Sequence, residues 1–288
     1  MNLVVGATGN LGGAVCEALR GRDKPVRAMV REISDRDRVR RLEELGAEVV
    51  RGELREPESL ARACDGAATV VSGATTIGSL GTDSISAVDR DGQKALVDAA
   101  RQAEVGHFIY VSYTRNIDTD DPLTEAKRAV EAHLRAAGMA YTILRPSYFL
   151  EMWLGPALGW DFAAGTARVL GSGEQRVNWI SDRDVVAAIV ACVDNPQAHG
   201  QTIELGGPEA LSPLEVVRLA RSITGTEITV ERVPAEELER QAHEAAGTDA
   251  AIFPSLMLVQ TRGDEIAAAP EWLRPQTTVE DYLRGVLG

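Results

Sequence analysis

The sixth residue opens the stretch GATGNLGG, directly after the apolar run NLVV and directly before the amphipathic stretch LGGAVCEALR. Glycine loses more backbone freedom on folding than any other residue, so glycines at a fixed spacing of three need a reason. Gly6, Gly9 and Gly12 have one if a strand must turn into a helix around an anionic group. Gly6 lets the chain leave the strand sharply, Gly9 removes a side chain where a pyrophosphate would approach, and Gly12 lets the helix lie close against the strand. The free amides and partial positive charge at the helix start then face the phosphates.

The rest of the first half agrees with this reading. Short β-rich runs occur at NLVVGA, PVRAMV, AEVVRG, ATVVSGA, HFIYVS and YTILRP, and the spacing predicts helices over 11–20, 36–45, 58–64, 85–104 and 124–137. Strands alternating with helices make βαβ units and a parallel sheet. The strands are nearly continuous apolar runs, as required when helices cover both faces. Asp121 and Pro122 mark a helix start, and Gly138 a helix end. After Pro146 the texture changes to the aromatic stretch SYFLEMWLGPALGWDFAAG, which fits either the roof of an apolar pocket or the core of a smaller domain. RVNWIS reads as a strand, SDRDVVAAIVACVDNP as a helix with Ser181 and Asp184 placed as a capping box, QTIELGGPE as a strand, LSPLEVVRLARSITG as a helix capped through Ser212 and Glu215, and the stretch after Thr278 as a short helix. The expected fold is α/β, a Rossmann-like doubly wound parallel sheet with a smaller C-terminal α+β substrate domain. Residues 1–150 form the NAD(P)-binding domain, a strand and helix at about 176–205 return to it, and 151–288 form the substrate-binding region.

The second signal lies at the end of PVRAMVR. Chains that bind NAD place an acidic residue there to hold the ribose hydroxyls. Here the position is Arg31, whose guanidinium suits a 2′-phosphate. Residues 20–41 hold nine basic and four acidic side chains, in a chain whose net charge is −13. NADP(H) is therefore the expected cofactor ahead of NAD(H), with most of Arg36 to Arg41 read as a solvated helix face. The overall acidity disfavours nucleic acid and anionic membranes as partners. No stretch reads as a membrane span or a secretory signal. Cys16, Cys64 and Cys192 are widely spaced and read as free thiols of a reducing, cytoplasmic protein. The four histidines, His107, His133, His199 and His243, lack metal-ligand spacing, and no metal is expected. Asp182 and Asp184 read as charges at a helix start.

These residues resemble the NmrA-like branch of the atypical short-chain dehydrogenases/reductases. The resemblance rests on GATGNLGG, on Arg31, on GELREPESLARACDGAATVVS, on HFIYVS and on AKRAVEAHLRAAGMAYTILRPSYF, and extends loosely through NWISDRDVVAAIV and IELGGPEALSPLEVV. It implies an NAD(P)-binding protein that is either a reductase of quinones, dyes or phenylpropanoid ethers, or a redox sensor without turnover. It implies that Gly6, Thr8, Gly9, Asn10, Leu11 and Gly12 line the pyrophosphate and that Arg31 meets the 2′-phosphate. Glu53 and Leu54 would edge the adenine, although the family usually has aspartate at position 53. Ser72, Gly73 and Ala74 would flank the ribose next to the nicotinamide. Lys127 would reach that ribose, and Pro146, Ser147, Tyr148 and Phe149 would pass along the ring. Ser112 and Tyr113 would stand beside the reaction centre.

The chemistry is less legible. Short-chain dehydrogenases commonly pair a tyrosine acid with a lysine four residues later. Lys127 is present, but Leu123 holds the tyrosine position, and none of Tyr110, Tyr113, Tyr141, Tyr148 and Tyr282 has lysine four residues on. Either Lys127 acts with Tyr113 or a water, or the acceptor takes hydride and collects its proton from solvent. Lys127 is placed near the margin of the stripe made by Ala126, Ala129, Val130 and Leu134. Two functions follow. One is an NADPH-dependent reductase of a small apolar or quinone-like acceptor, and the other is a non-catalytic NADP(H)-binding redox sensor or scaffold for a protein partner. Sugar-nucleotide epimerisation is disfavoured, because that chemistry normally needs the tyrosine. Monomer and homodimer both remain open.

Overall fold

The computed structural model describes residues 1–77 and 84–287. Six strands follow the six apolar runs: β1 (Asn2–Val5), β2 (Val26–Val30), β3 (Glu48–Arg51), β4 (Thr69–Ser72), β5 (His107–Val111) and β6 (Tyr141–Pro146). Between them lie α1 (Asn10–Arg20), α2 (Arg36–Glu44), α3 (Pro57–Cys64), α4 (Gln93–Gln102) and α5 (Pro122–Ala136). Where the spacing predicts one helix over 85–104, a π-helical turn at Ser86–Gly92 precedes α4. The remaining elements are α6 (Leu150–Trp153), β7 (Trp160–Asp161), β8 (Thr166–Leu170), α7 (Asp182–Cys192), β9 (Gln201–Leu205), α8 (Pro213–Thr224), β10 (Thr229–Val233), α9 (Ala235–Glu244), α10 (Ile252–Gln260) and α11 (Val279–Leu287).

Seven strands make one sheet in the order β3-β2-β1-β4-β5-β6-β9. Neighbours from β3 to β6 pair in parallel, for example Val5 with Met29 on one side and with Ser72 on the other. β9 runs the same way beside β6, since the Gly200 amide meets the Tyr141 carbonyl and the Ser147 amide meets that of Leu205. α3, α4 and α5 pack in a row, and α1 packs on α2, which gives the two helical layers of a doubly wound sheet. Alternation along β1 sends Leu3 and Val5 into the same core as Leu60, Leu96, Val130 and Leu134. A second, three-stranded sheet has the order β10-β8-β7, with β10 parallel and β7 antiparallel to β8.

Two compact units emerge. The first contains Met1–Ser112, Pro122–Leu144 and Val186–Ile203, and the second Tyr113–Asp121, Arg145–Val185 and Glu204–Gly288. In the second unit the aromatic stretch is core. Tyr148 meets Trp153 edge-on at 4.8 Å and lies 6.1 Å from the fully buried Trp179, whose indole N–H donates to the Leu211 carbonyl at 2.8 Å.

Two expectations change. RVNWIS forms no strand, only single bridges from Val177 to Leu211 and Asp264 and from Ile180 to Phe149. Its tryptophan is needed for the core rather than for a ladder. Asp184 does not complete a capping box, because its two oxygens accept the Gln276 and Thr277 amides at 3.0 and 2.9 Å. Ser181 still accepts the Arg183 amide at 3.2 Å, while its own hydroxyl donates to Glu151. The capping box at Ser212 and Glu215 is complete. The three cysteines are buried and free. No helix among the described residues is long and apolar enough to cross a membrane.

Candidate functional site

In an open parallel sheet, ligands bind at the carboxyl ends of the strands where the chain order reverses, and here that point lies between β1 and β4. The glycines stand there. Gly6 leaves β1 with φ +83°. A Cβ at Gly6 would lie 3.1 Å from the Ala74 Cα, and one at Gly12 only 2.2 Å from the Gly6 carbonyl oxygen. Gly9 is the N-cap of α1 and offers no side chain to the first amides, while Thr8 and Asn10 stand beside it. Gly73 closes on Leu11, where an added Cβ would lie 3.4 Å from Leu11 Cδ2. Gly6 thus lies close to Ala74 and Gly73 to the Leu11 side chain, and a methyl group at Gly12 would collide with the Gly6 carbonyl.

Arg31 follows β2 directly. Its amide donates to Ser34 Oγ at 3.0 Å, and its carbonyl accepts from Arg51 at 2.9 Å, so the loop leading to α2 is fixed at both groups. Arg38 departs from the solvated-face reading. Its guanidinium reaches the glycine loop, donating to the Thr8 carbonyl at 2.6 Å and to Asn10 Oδ1 at 3.3 Å. Arg40 keeps that reading, with ion pairs to Asp37 and Glu44. At the end of β3, Ser59 Oγ holds both the amide and the carbonyl of Glu53, whose carboxylate lies 3.4 Å from Arg55. Leu54 is buried against Gly92. Ser72 donates to Gln93 at 2.8 Å, and Gln93 donates to the Ala74 carbonyl at 2.9 Å, which pins the backbone after β4.

Lys127 lies inside, not at the margin. It is only 5% exposed, because Leu123, Val130 and Glu131 share its helical face and are buried with it. Its ammonium is 3.5 Å from the Val111 carbonyl, 4.0 Å from Asp89 Oδ1 and 5.3 Å from the centre of the Tyr110 ring. Burial lowers its pKa, the carboxylate of Asp89 opposes that shift, Arg128 adds to it, and Glu131 counters it. Among the described residues the long contact to Val111 is its one hydrogen bond, so the ammonium keeps donors for a ligand. Ser112 is committed elsewhere: it donates to Glu131 at 2.7 Å and accepts from Arg128 at 3.0 Å.

The remaining sequence-predicted residues fall in the second unit. Tyr113 is buried there. Pro146 accepts the Thr114 amide at 3.0 Å, Ser147 donates to Asp264, and Phe149 is half-buried. Tyr148 gives its hydroxyl to the Leu256 carbonyl at 3.1 Å, and burial, then Asp264 and Tyr113, hold its pKa well above the ordinary value. Sequence reasoning missed Arg38, Gln93 and Asp89. Their signals were helical spacing alone, which does not tell a surface arginine from one that folds back on a loop.

The residues fit a dinucleotide: a glycine cradle that excludes side chains, an arginine-bearing loop after β2, and a buried ammonium with unused donors. The triphenylmethane reductase of a Citrobacter species, solved with NADP(H), superposes with a TM-score of 0.79 at 21% identity, covering all of both chains. The NAD(P)H azoreductase of Xenophilus azovorans is 29% identical over 294 residues, covering 100% of this chain and 90% of its own. The photosystem II assembly factor Ycf39 of Trieres chinensis is 28% identical over 239 residues, covering 81% of this chain and 72% of its own. The NmrA-like family profile matches residues 2–280. The chain belongs to the NmrA-like family.

Proposed function

We propose that the protein is an NADPH-dependent reductase that passes hydride to a small apolar or quinone-like acceptor in a reducing compartment, the cytoplasm. The observation that carries this reading is the cradle at the end of β1, where Gly12 admits no methyl group beside the Gly6 carbonyl. Gly6, Thr8, Gly9, Asn10, Leu11 and Gly12 bind the diphosphate through backbone amides. Arg31 takes the 2′-phosphate, and Arg38 holds the glycine loop that carries the diphosphate. Glu53 and Leu54 border the adenine. Ser72, Gly73 and Ala74 give the ribose a flat, pinned backbone, and Lys127 donates to its hydroxyls. NADPH, when bound, supplies the hydride. Tyr113 or water supplies the proton that the acceptor gains with the hydride, and Pro146, Tyr148 and Phe149 are the residues assigned to the nicotinamide ring. The azoreductase and the triphenylmethane reductase support an electron-poor, conjugated acceptor.

Titration with NADPH and NADH by ligand fluorescence tests the cofactor. Arg31→Asp should weaken NADPH by roughly 1.5–3 kcal/mol, the scale of a charge-assisted hydrogen bond, and spare NADH. Equal loss for both nucleotides would remove Arg31 from the 2′-phosphate site. NADPH oxidation is then followed with quinones, azo dyes and triphenylmethane dyes. Leu123, standing where a tyrosine acid would be, favours a second reading, a cofactor-bound sensor or scaffold, and the assembly-factor relative agrees with it. NADPH binding without turnover of any acceptor would select that reading.

A further inference from the structure

Burying an ammonium is costly unless something balances its charge. Lys127 is buried, so the groups that face it decide its state. β5 offers the Tyr110 ring and the Val111 carbonyl. On its own helix, Arg128 repels it, and Glu131 is already engaged by Ser112, Arg128 and Arg135. The π-helical turn offers Asp89, which has no exposure at all. Asp89 Oδ2 accepts both the amide and the hydroxyl of Thr76, at 3.0 and 2.7 Å. Asp89 Oδ1 has no hydrogen-bond partner among the described residues and lies 4.0 Å from the ammonium. A buried carboxylate oxygen without a donor is itself expensive, and π-helical turns are rare and frequent at functional sites. The two unmet groups, one anionic and one cationic, face each other across α5 and the π turn, which pack together.

We propose that Asp89 is the positioning residue for Lys127: anchored by Thr76, it turns an otherwise unpaired Oδ1 to the buried ammonium and keeps that ammonium charged and in place for the ribose. The proposal rests on the reading of Lys127 as a cofactor residue. Asparagine at position 89 would keep an acceptor for both Thr76 donors and lose only the charge. Lys127 would then stay buried beside Arg128 with only Glu131, itself engaged by three other groups, and the Tyr110 ring to offset it.

The chain has three lysines, Lys24, Lys94 and Lys127, so the test can be direct. Lysine labelled with 13C at Cε gives three signals, assigned with Lys24→Arg and Lys94→Arg, and each is titrated in the ligand-free protein. Asp89→Asn should lower the Lys127 midpoint by about one pH unit or more and leave Lys24 and Lys94 in place. Thr76→Val, which keeps the carboxylate and the amide bond to it but removes the hydroxyl, should shift it in the same direction by less, and it serves if Asp89→Asn fails to fold. In Asp89→Asn, NADPH affinity should also decline as pH rises, over a range where the wild type stays flat. An unmoved Lys127 midpoint in folded Asp89→Asn overturns the proposal. Failure of the underlying reading shows separately, as unchanged NADPH affinity in Lys127→Met.

Discussion

At the scale of single residues, a methyl group and a proton are the decisive probes. A Cβ at Gly207 would lie 1.9 Å from the Trp179 carbonyl oxygen, backbone that cannot swing aside. Gly207→Ala should cost about 1–3 kcal/mol, read as a lower melting temperature with no change in NADPH binding. His107 is buried, shares a hydrogen bond with Thr142 at 2.8 Å and has the His199 ring 4.5 Å away, and burial followed by His199 pushes its pKa down to about 4. The unfolded chain takes up this proton first, so stability should be lost as pH falls from the ordinary histidine value towards 4, and His107→Gln should flatten that limb. Asp182 has the opposite sign. Burial, then Glu151, raise it to about 6, so its carboxylate opposes folding above that pH. Asp182→Asn should raise the melting temperature near neutral pH. The places of the glycines after β1 and of Arg31 after β2 were legible because a glycine triad between an apolar run and an amphipathic one marks a strand-to-helix turn. The burial of Lys127 was not, because an ammonium enters a core only when a distant segment supplies its counter-charge, and helical spacing holds no trace of Asp89.

At the scale of elements, caps set the helix ends. Ser212 accepts the Glu215 amide at 3.2 Å while Glu215 accepts the Ser212 amide at 2.7 Å. Ser212→Ala should lower stability by about 1 kcal/mol in denaturant unfolding. Asp184, by contrast, was read as a cap and instead ties Gln276 and Thr277 to the start of α7, a bond across 92 and 93 positions that no local pattern reveals. Of the first six strands, all but the edge strand β3 are buried along most of their length, which writes them as apolar runs. β10 was not legible, since TVERV buries none of its residues fully and carries two adjacent charges, Glu231 and Arg232, which interrupt the apolar run. The π turn at Ser86–Gly92 also escaped notice, because one extra residue in a turn leaves the apolar spacing of a helix almost unchanged.

At the scale of the whole molecule, each unit is assembled from three separate stretches of chain. The βαβ order could be read along the sequence, but the place of Tyr113–Asp121 in the second unit could not, since it depends on pairings such as the Thr114 amide with the Pro146 carbonyl that join residues far apart. This partition also sorts the spectroscopic side chains. Cys16, Cys64 and Cys192 all belong to the first unit, and Trp153, Trp160, Trp179 and Trp272 all belong to the second. Burial pushes the thiols up to about 12, 11 and 12, which leaves them protonated and inert while the fold holds. A disulfide-exchange chromophore should therefore count zero thiols in the native protein and three in the denatured one. Its time course reports the opening of one half of the molecule, and indole emission reports the other. Coincident traces in urea would show a single cooperative transition, and separated traces would give the order in which the halves come apart, with no label and no substitution.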